Sequence, residues 1–139
     1  MEVLLVEKDP LVRDHVKVGL QQFPEFHVTV GSSYAGINEI RSKHFDCVFL
    51  GVDPREKDTV KLLRHLRSFD MTTELFVMTA ARNVKDMAVD KSKYNIHSFL
   101  ETPVVPRDFF RLLGRFIERR SEKHSSRRDK SRPVAAERH

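Results

Sequence analysis

The sequence predicts an α/β fold: a doubly wound, five-stranded parallel sheet with helices on both faces. Two observations carry that prediction. Short apolar runs alternate with longer amphipathic segments five times along the chain, the pattern of repeated strand–helix units joined by right-handed crossovers. In addition, Cys47-Val48-Phe49-Leu50 is apolar without a polar break, as a strand covered on both faces of a parallel sheet must be. That central strand runs straight into Gly51-Val52-Asp53-Pro54. In open α/β sheets, ligand chemistry sits just past the carboxyl ends of such strands.

Each element has its own justification. Val3-Leu4-Leu5-Val6 opens the chain as an apolar strand and ends at Glu7-Lys8-Asp9-Pro10. Asp9 followed by Pro10 is a helix start, a carboxylate cap and then a proline at the first helical position. Val12, Val16, Gly19/Leu20 and Phe23 recur at helical spacing, and Pro24 stops that helix. His27 to Val30 reads as the second strand. Ser32 or Ser33 caps a second helix whose apolar side is Ala35, Ile37 and Ile40. Phe45 leads into the central strand, and Asp58 to Arg67 forms the third helix with Leu62, Leu63 and Leu66 inward. Leu75 to Met78 is the fourth strand and ends at Thr79-Ala80-Ala81. A fourth helix spans roughly Asn83 to Lys93 with Val84, Met87 and Ala88 as its apolar side. Asn95 ends it, because Asn tolerates the left-handed conformation of a helix stop. Ser98-Phe99-Leu100 is a short fifth strand. The last helix starts near Pro106 and uses Phe109, Leu112, Leu113, Phe116 and Ile117.

Composition narrows the class. Hydrophobic residues are 40% and charged residues 32% of 139, as in an ordinary globular domain. No apolar run approaches a membrane span. Met1-Glu2-Val3 lacks the basic start and apolar stretch of a signal peptide, so a cytoplasmic location is expected. Cys47 is the single cysteine, which excludes an internal disulfide. The net charge is +5, unevenly placed. Residues 118–139 hold eight Lys/Arg against four Asp/Glu, whereas residues 1–117 hold 17 against 16. The organisation expected is a folded domain over 1–120 and a basic, disordered tail over 121–139, where the apolar periodicity has ended. None of the seven histidines is paired with a second His or Cys at zinc spacing.

On these residues the chain resembles the receiver domain of two-component response regulators, a flavodoxin-like (βα)5 phosphoacceptor module. The resemblance covers about residues 1–118. The family carries an acidic pair after the first strand, a phosphoacceptor Asp after the third, a Thr/Ser after the fourth and a Lys-Pro after the fifth. The acidic pair falls on Glu7 and Lys8. Phe45-Asp46 before the third strand and Asp58 with Leu62-Leu63-Arg64 after it both register the phosphoacceptor onto Gly51. Thr79-Ala80 matches the Thr-Ala pair and Phe99 the aromatic switch position. Thr102-Pro103 matches Lys-Pro, with Thr in place of the lysine.

The departures remove chemistry. Aspartyl phosphorylation needs a carboxylate nucleophile, and Gly51 has no side chain. It needs Mg²⁺ held by carboxylates, of which only Glu7 stays in register, while Lys8 brings a repelling ammonium. Thr102 donates a hydrogen bond but carries no charge. The expected protein is therefore a pseudo-receiver: no enzyme, no cofactor, with Mg²⁺ binding weak or absent. It acts in signal transduction by protein–protein contact. The resemblance places the partner face around Lys91, Phe99, Arg107 and Arg111, with a homodimer through the last helix as one form of it. Bland readings stand beside these. Lys8 pairs with Glu7 or Asp53, or points to water. Thr79 is a switch hydroxyl or is bonded to nearby backbone. Phe99 is a partner reporter or an inward strand aromatic. Asp53, two residues past Gly51, is a displaced acceptor in an active phosphorelay receiver or the first half of an Asp-Pro turn. A last reading is a nucleic-acid-associated regulator using the basic tail, and no DNA-reading helix pair follows residue 120 to support it.

Overall fold

Five parallel strands form one sheet in the order β2-β1-β3-β4-β5: β1 (Glu2–Val6), β2 (His27–Gly31), β3 (Cys47–Gly51), β4 (Glu74–Ala80) and β5 (Ile96–Thr102). The structure is a computed structural model that describes residues 1–31, 37–38, 40–41, 43–80 and 91–131, with residues 123–131 described by their backbone. Three helices are bounded within it: α1 (Pro10–Gln21), α2 (Lys57–Phe69) and α3 (Pro106–Ser131). Ile37, Asn38, Ile40 and Arg41 are also helical, on the segment expected to form the second helix. The rest of that segment, and nearly all of the helix expected over 83–93, lie outside the described residues. The chain divides into two compact units, one ending at Val105 and the other starting at Pro106.

The strand order follows from the sequence pattern. The chain starts in the middle of the sheet, steps outward to β2, then returns past β1 to β3, β4 and β5. This is the order of doubly wound flavodoxin-like folds, and it puts a topological switch point between β1 and β3. Their register places Val6 against Leu50, so Glu7 and Gly51 emerge side by side at the carboxyl end of the sheet. Both sheet faces are apolar. Leu4, Val6, Val48, Leu50, Leu75 and Val77 join Leu62, Leu63 and Leu66 of α2 in one buried cluster. Alternate residues belong to the opposite face, where Phe49 and Phe76 stack with ring centroids 4.5 Å apart. Cys47 is fully buried in β3.

Local signals set the element ends. Asp9 caps α1, its Oδ1 accepting from the amides of Leu11 at 2.9 Å and Val12 at 3.4 Å. Asn95 is the one non-glycine residue with positive φ among those described (49°). Its amide donates to the Ser92 carbonyl at 3.1 Å, and that of Ile96 to Lys91 at 2.9 Å. Those two bonds are the pair that closes a helix in a Schellman motif. The strands run longer than expected: β4 takes in Thr79 and Ala80, and β5 begins at Ile96. Backbone pairing with a neighbour carries a strand beyond its apolar stretch.

α3 runs on past Arg120 to Ser131. Residues 118–131 are mostly Glu, Arg, Lys and Ser, and the first three are strong helix formers.

Arg67 is the largest structural feature that sequence inspection missed. It sits on the C-terminal turn of α2 and is 6% exposed. Its guanidinium donates to four backbone carbonyls: Tyr94 at 2.7 Å, Asp70 at 2.9 Å, Thr73 at 2.7 Å and Asn95 at 3.0 Å. Burial lowers its pKa, and the charges of Asp70 and Glu74 oppose that. Asp70 organises the same corner. Burial pushes its carboxyl up, but the hydroxyls and amides of Thr73 and Thr72 outweigh that and hold it below its ordinary value.

Candidate functional site

The carboxyl ends of β1, β3, β4 and β5 surround a cleft of about 490 Å³. Glu7, Lys8, Gly51, Asp53, Thr79 and Thr102 all line it. The register explains the convergence. Gly51 pairs with Met78, one residue before Thr79, and Ala80 pairs with Thr102. Four segments far apart in sequence therefore end within one cleft, as the switch point of this topology requires.

Glu7 and Gly51 are the centre of it. A Cβ placed on Gly51 would lie 2.6 Å from Glu7 Cδ and 2.8 Å from Oε2. The Glu7 carboxyl thus fills the space that any side chain at position 51 would enter. Burial raises its pKa, and the backbone amides of Asp9 and Lys8 only partly counter that. The Asp9 amide donates to Oε2 at 3.1 Å. The sign of the resulting pH dependence follows from proton binding. Between the ordinary carboxyl value of 4.5 and the raised value, the folded chain holds more protons than the unfolded chain. Stability therefore falls as pH rises through that window, and the deficit persists at neutral pH. Glu7→Gln keeps the acceptor for the Asp9 amide and removes the charge. It is expected to raise Tm by a few degrees at pH 7 and to leave it unchanged at pH 4, by thermal melts at both values.

Lys8 pairs with neither Glu7 nor Asp53, the two partners expected for it. Its Nζ lies 2.7 Å from Glu56 Oε2, 48 residues away, with both side chains about half exposed. Hydrogen bonding to Glu56 raises its pKa. Glu56 carries no sequence signal for this role; it arrives because the loop after β3 folds back over β1. That loop is held by Thr59, whose hydroxyl accepts from the Asp53 amide at 2.9 Å and lies 2.9 and 2.8 Å from the carbonyls of Asp53 and Glu56. The Glu56 amide donates to the Asp53 carbonyl at 2.9 Å, closing a turn. The Asp53 carboxylate accepts from the Arg55 amide at 2.9 Å and lies 3.4 Å from Arg55 Nε. That is an Asx turn, a spacing legible in Asp53-Pro54-Arg55.

Thr79 is 3% exposed, and its hydroxyl has no hydrogen-bond partner among the described residues. Thr102, at the end of β5, is half-buried and short. The remaining expected positions are not brought into the cleft. Phe99 packs partly buried against the core cluster, as an inward strand aromatic. Lys91, Arg107 and Arg111 are exposed.

The family resemblance implies a divalent cation here, and the residues present do not fit one. Gly51 offers no ligand, Asp53 is engaged by Arg55, and Lys8 stands where a second carboxylate would be needed. Among the described residues no group of three or more His, Cys, Asp or Glu is arranged to hold a metal ion. None of the described helices is long and apolar enough to cross a membrane.

Comparison with known proteins agrees on the fold. The chain is similar to the chemotaxis protein CheY4 of Vibrio cholerae, at 17% identity and TM-score 0.64 over 82% of this chain and 96% of that one. It is similar to the receiver domain of AraT, a response regulator from Geobacillus stearothermophilus, at 14% identity and TM-score 0.72 over 88% and 97%. A CheY-like receiver domain protein of Methanospirillum hungatei matches at 19% identity and TM-score 0.68 over 90% and 97%. No curated protein sequence matches the chain. The family model of the response regulator receiver domain matches residues 3–113, most of the chain and every strand of the sheet. The chain belongs to the response regulator receiver domain family, whose members act in two-component signal transduction.

Proposed function

We propose that this chain is a pseudo-receiver, a signalling module that keeps the receiver fold, works by protein–protein contact and does not use aspartyl phosphorylation. One observation carries the reading. The family resemblance puts Gly51 at the phosphoacceptor position, and the Glu7 carboxyl lies in the space a side chain there would fill. A nucleophile is missing, and the room for one is taken. Lys8 and Thr102 support the same reading, since one removes a metal ligand and the other the cation that would meet a phosphoryl group. The partner face proposed lies around Lys91, Phe99, Arg107 and Arg111, of which three are exposed.

The test is intact-mass spectrometry of the full chain after incubation with acetyl phosphate and Mg²⁺. The expected spectrum is that of the untreated protein. A phosphoryl adduct that is labile to hydroxylamine would sink the proposal. Its mapping to Asp53 would install the displaced acceptor instead, against the turn in which Arg55 now holds that carboxylate.

A further inference from the structure

We propose that the cleft beside Gly51 binds a primary ammonium group, carried either by a small alkylamine or by the tip of a partner protein's lysine. Charge is the first argument. Four carboxylates line the cleft, Glu7, Asp9, Asp53 and Glu56, against two cations, Lys8 and Arg55. Lys8 is committed to Glu56 and Arg55 to Asp53. Asp9 is committed to the amides that open α1. Glu7 is left without a cationic partner among the described residues, and the charges acting on it are the like charges of Asp9 and Glu56.

The second argument is independent of charge. Thr79, 97% buried by its 3% exposure, lines the same cleft with a hydroxyl that has no partner among the described residues. A buried polar group left unpaired is costly, and native structures rarely keep one without a reason. An ammonium answers both deficits. It is a compact positive charge for the Glu7 carboxylate, and its N–H groups are donors for the Thr79 oxygen. An anion would meet four carboxylates. A divalent metal would find one carboxylate without a cationic partner and the hydroxyls of Thr79 and Thr102, short of the oxygen shell it needs. Glu7 is the movable part. Its carboxyl is the flexible end of the side chain, so it can turn toward an entering charge, with no side chain at Gly51 in the way.

The inference rests on the reading that the cleft carries no phosphoryl group, and its test fails separately from that one. The full chain, labelled with ¹³C and ¹⁵N, is titrated with ethylammonium chloride, and in parallel with tetramethylammonium chloride, which has no N–H. The Glu7 side-chain carboxyl and the Thr79 amide are followed by NMR. Saturable shifts at both residues are expected with ethylammonium alone. Glu7→Gln and Thr79→Val should each weaken the binding about tenfold, the loss of one hydrogen bond to a charged group. The two variants guard against a misfolded result in either, since their spectra report the fold directly. A glycine pentapeptide with one central lysine separates the sources. If it saturates the same shifts and its lysine-acetylated form does not, a partner's lysine is the ligand. If ethylammonium binds and the peptide does not, a small amine is. Shifts that stay linear with concentration, that tetramethylammonium reproduces, or that survive Glu7→Gln unchanged overturn the proposal.

Discussion

Arg67→Ala is expected to destabilise the protein by about 3–5 kcal/mol, the scale for stripping the partner from a buried, charged hydrogen-bonding group. In a domain of this size that lowers Tm by roughly 10–15 °C. The reason is the number and spread of its acceptors. The guanidinium joins the end of α2 to the carbonyls of Asp70 and Thr73 before β4, and to those of Tyr94 and Asn95 before β5. Its removal leaves four carbonyls without a donor and a cavity among them. Arg67→Lys should recover little. An ammonium on a flexible stem cannot present the planar fork that reaches three backbone segments together. Chemical denaturation of the wild type and both variants provides the check. A loss below about 1 kcal/mol for Arg67→Ala would show that water replaces the guanidinium and that the corner is held by Asp70 and its threonines.

On the pseudo-receiver reading proposed above, installing aspartyl phosphorylation at position 51 should take three substitutions together. Lys8→Asp, Gly51→Asp and Thr102→Lys address the metal ligand, the nucleophile and the phosphoryl-facing cation. The combined variant is expected to gain one phosphoryl group from acetyl phosphate in the presence of Mg²⁺. In that step a carboxylate oxygen introduced at position 51 attacks phosphorus, the bond from phosphorus to the acetyl oxygen breaks, and acetate leaves. Gly51→Asp alone should remain unmodified. Its Cβ must first displace the Glu7 carboxyl from 2.6 Å away at Cδ. The new carboxylate would then stand beside Glu7 without a metal, so like-charge repulsion would raise the pKa of one of them. Intact-mass spectrometry on the single and triple variants decides the matter. Phosphorylation of Gly51→Asp alone would mean that Lys8 and Thr102 are tolerated and that position 51 by itself decides whether the pocket takes a phosphoryl group.

Much of this architecture is legible in the sequence because it is encoded locally. Asp9-Pro10 caps α1 through side-chain and ring chemistry confined to two residues, and Asn95 takes the left-handed conformation of a turn through its own backbone tolerance. The uninterrupted Cys47–Leu50 run can satisfy its burial only in the middle of a parallel sheet, and there it lies, between β1 and β4. Once strand order and register follow from these, Glu7, Gly51, Thr79 and Thr102 have to meet at one end of the sheet. Apolar periodicity reports which side of a helix is buried, so it falls silent where α3 continues as a polar helix.

The partner of each polar side chain was decided elsewhere. Lys8 meets Glu56 across 48 residues, and Arg67 reaches Tyr94 and Asn95 across 27 and 28. No spacing rule joins residues so distant, because their approach depends on how whole loops fold over strand ends. The same holds for Glu7 and Thr79. From sequence, Glu7 is the surviving half of an acidic pair and Thr79 the end of a strand. Tertiary packing turns the Glu7 carboxyl over Gly51 and buries the Thr79 hydroxyl without a partner among the described residues. Sequence alone determined which residue types line this pocket. Only the tertiary structure decided what fills the space beside Gly51, because a rotamer beside an empty Cβ position is chosen by its three-dimensional neighbours and not by its place in the chain.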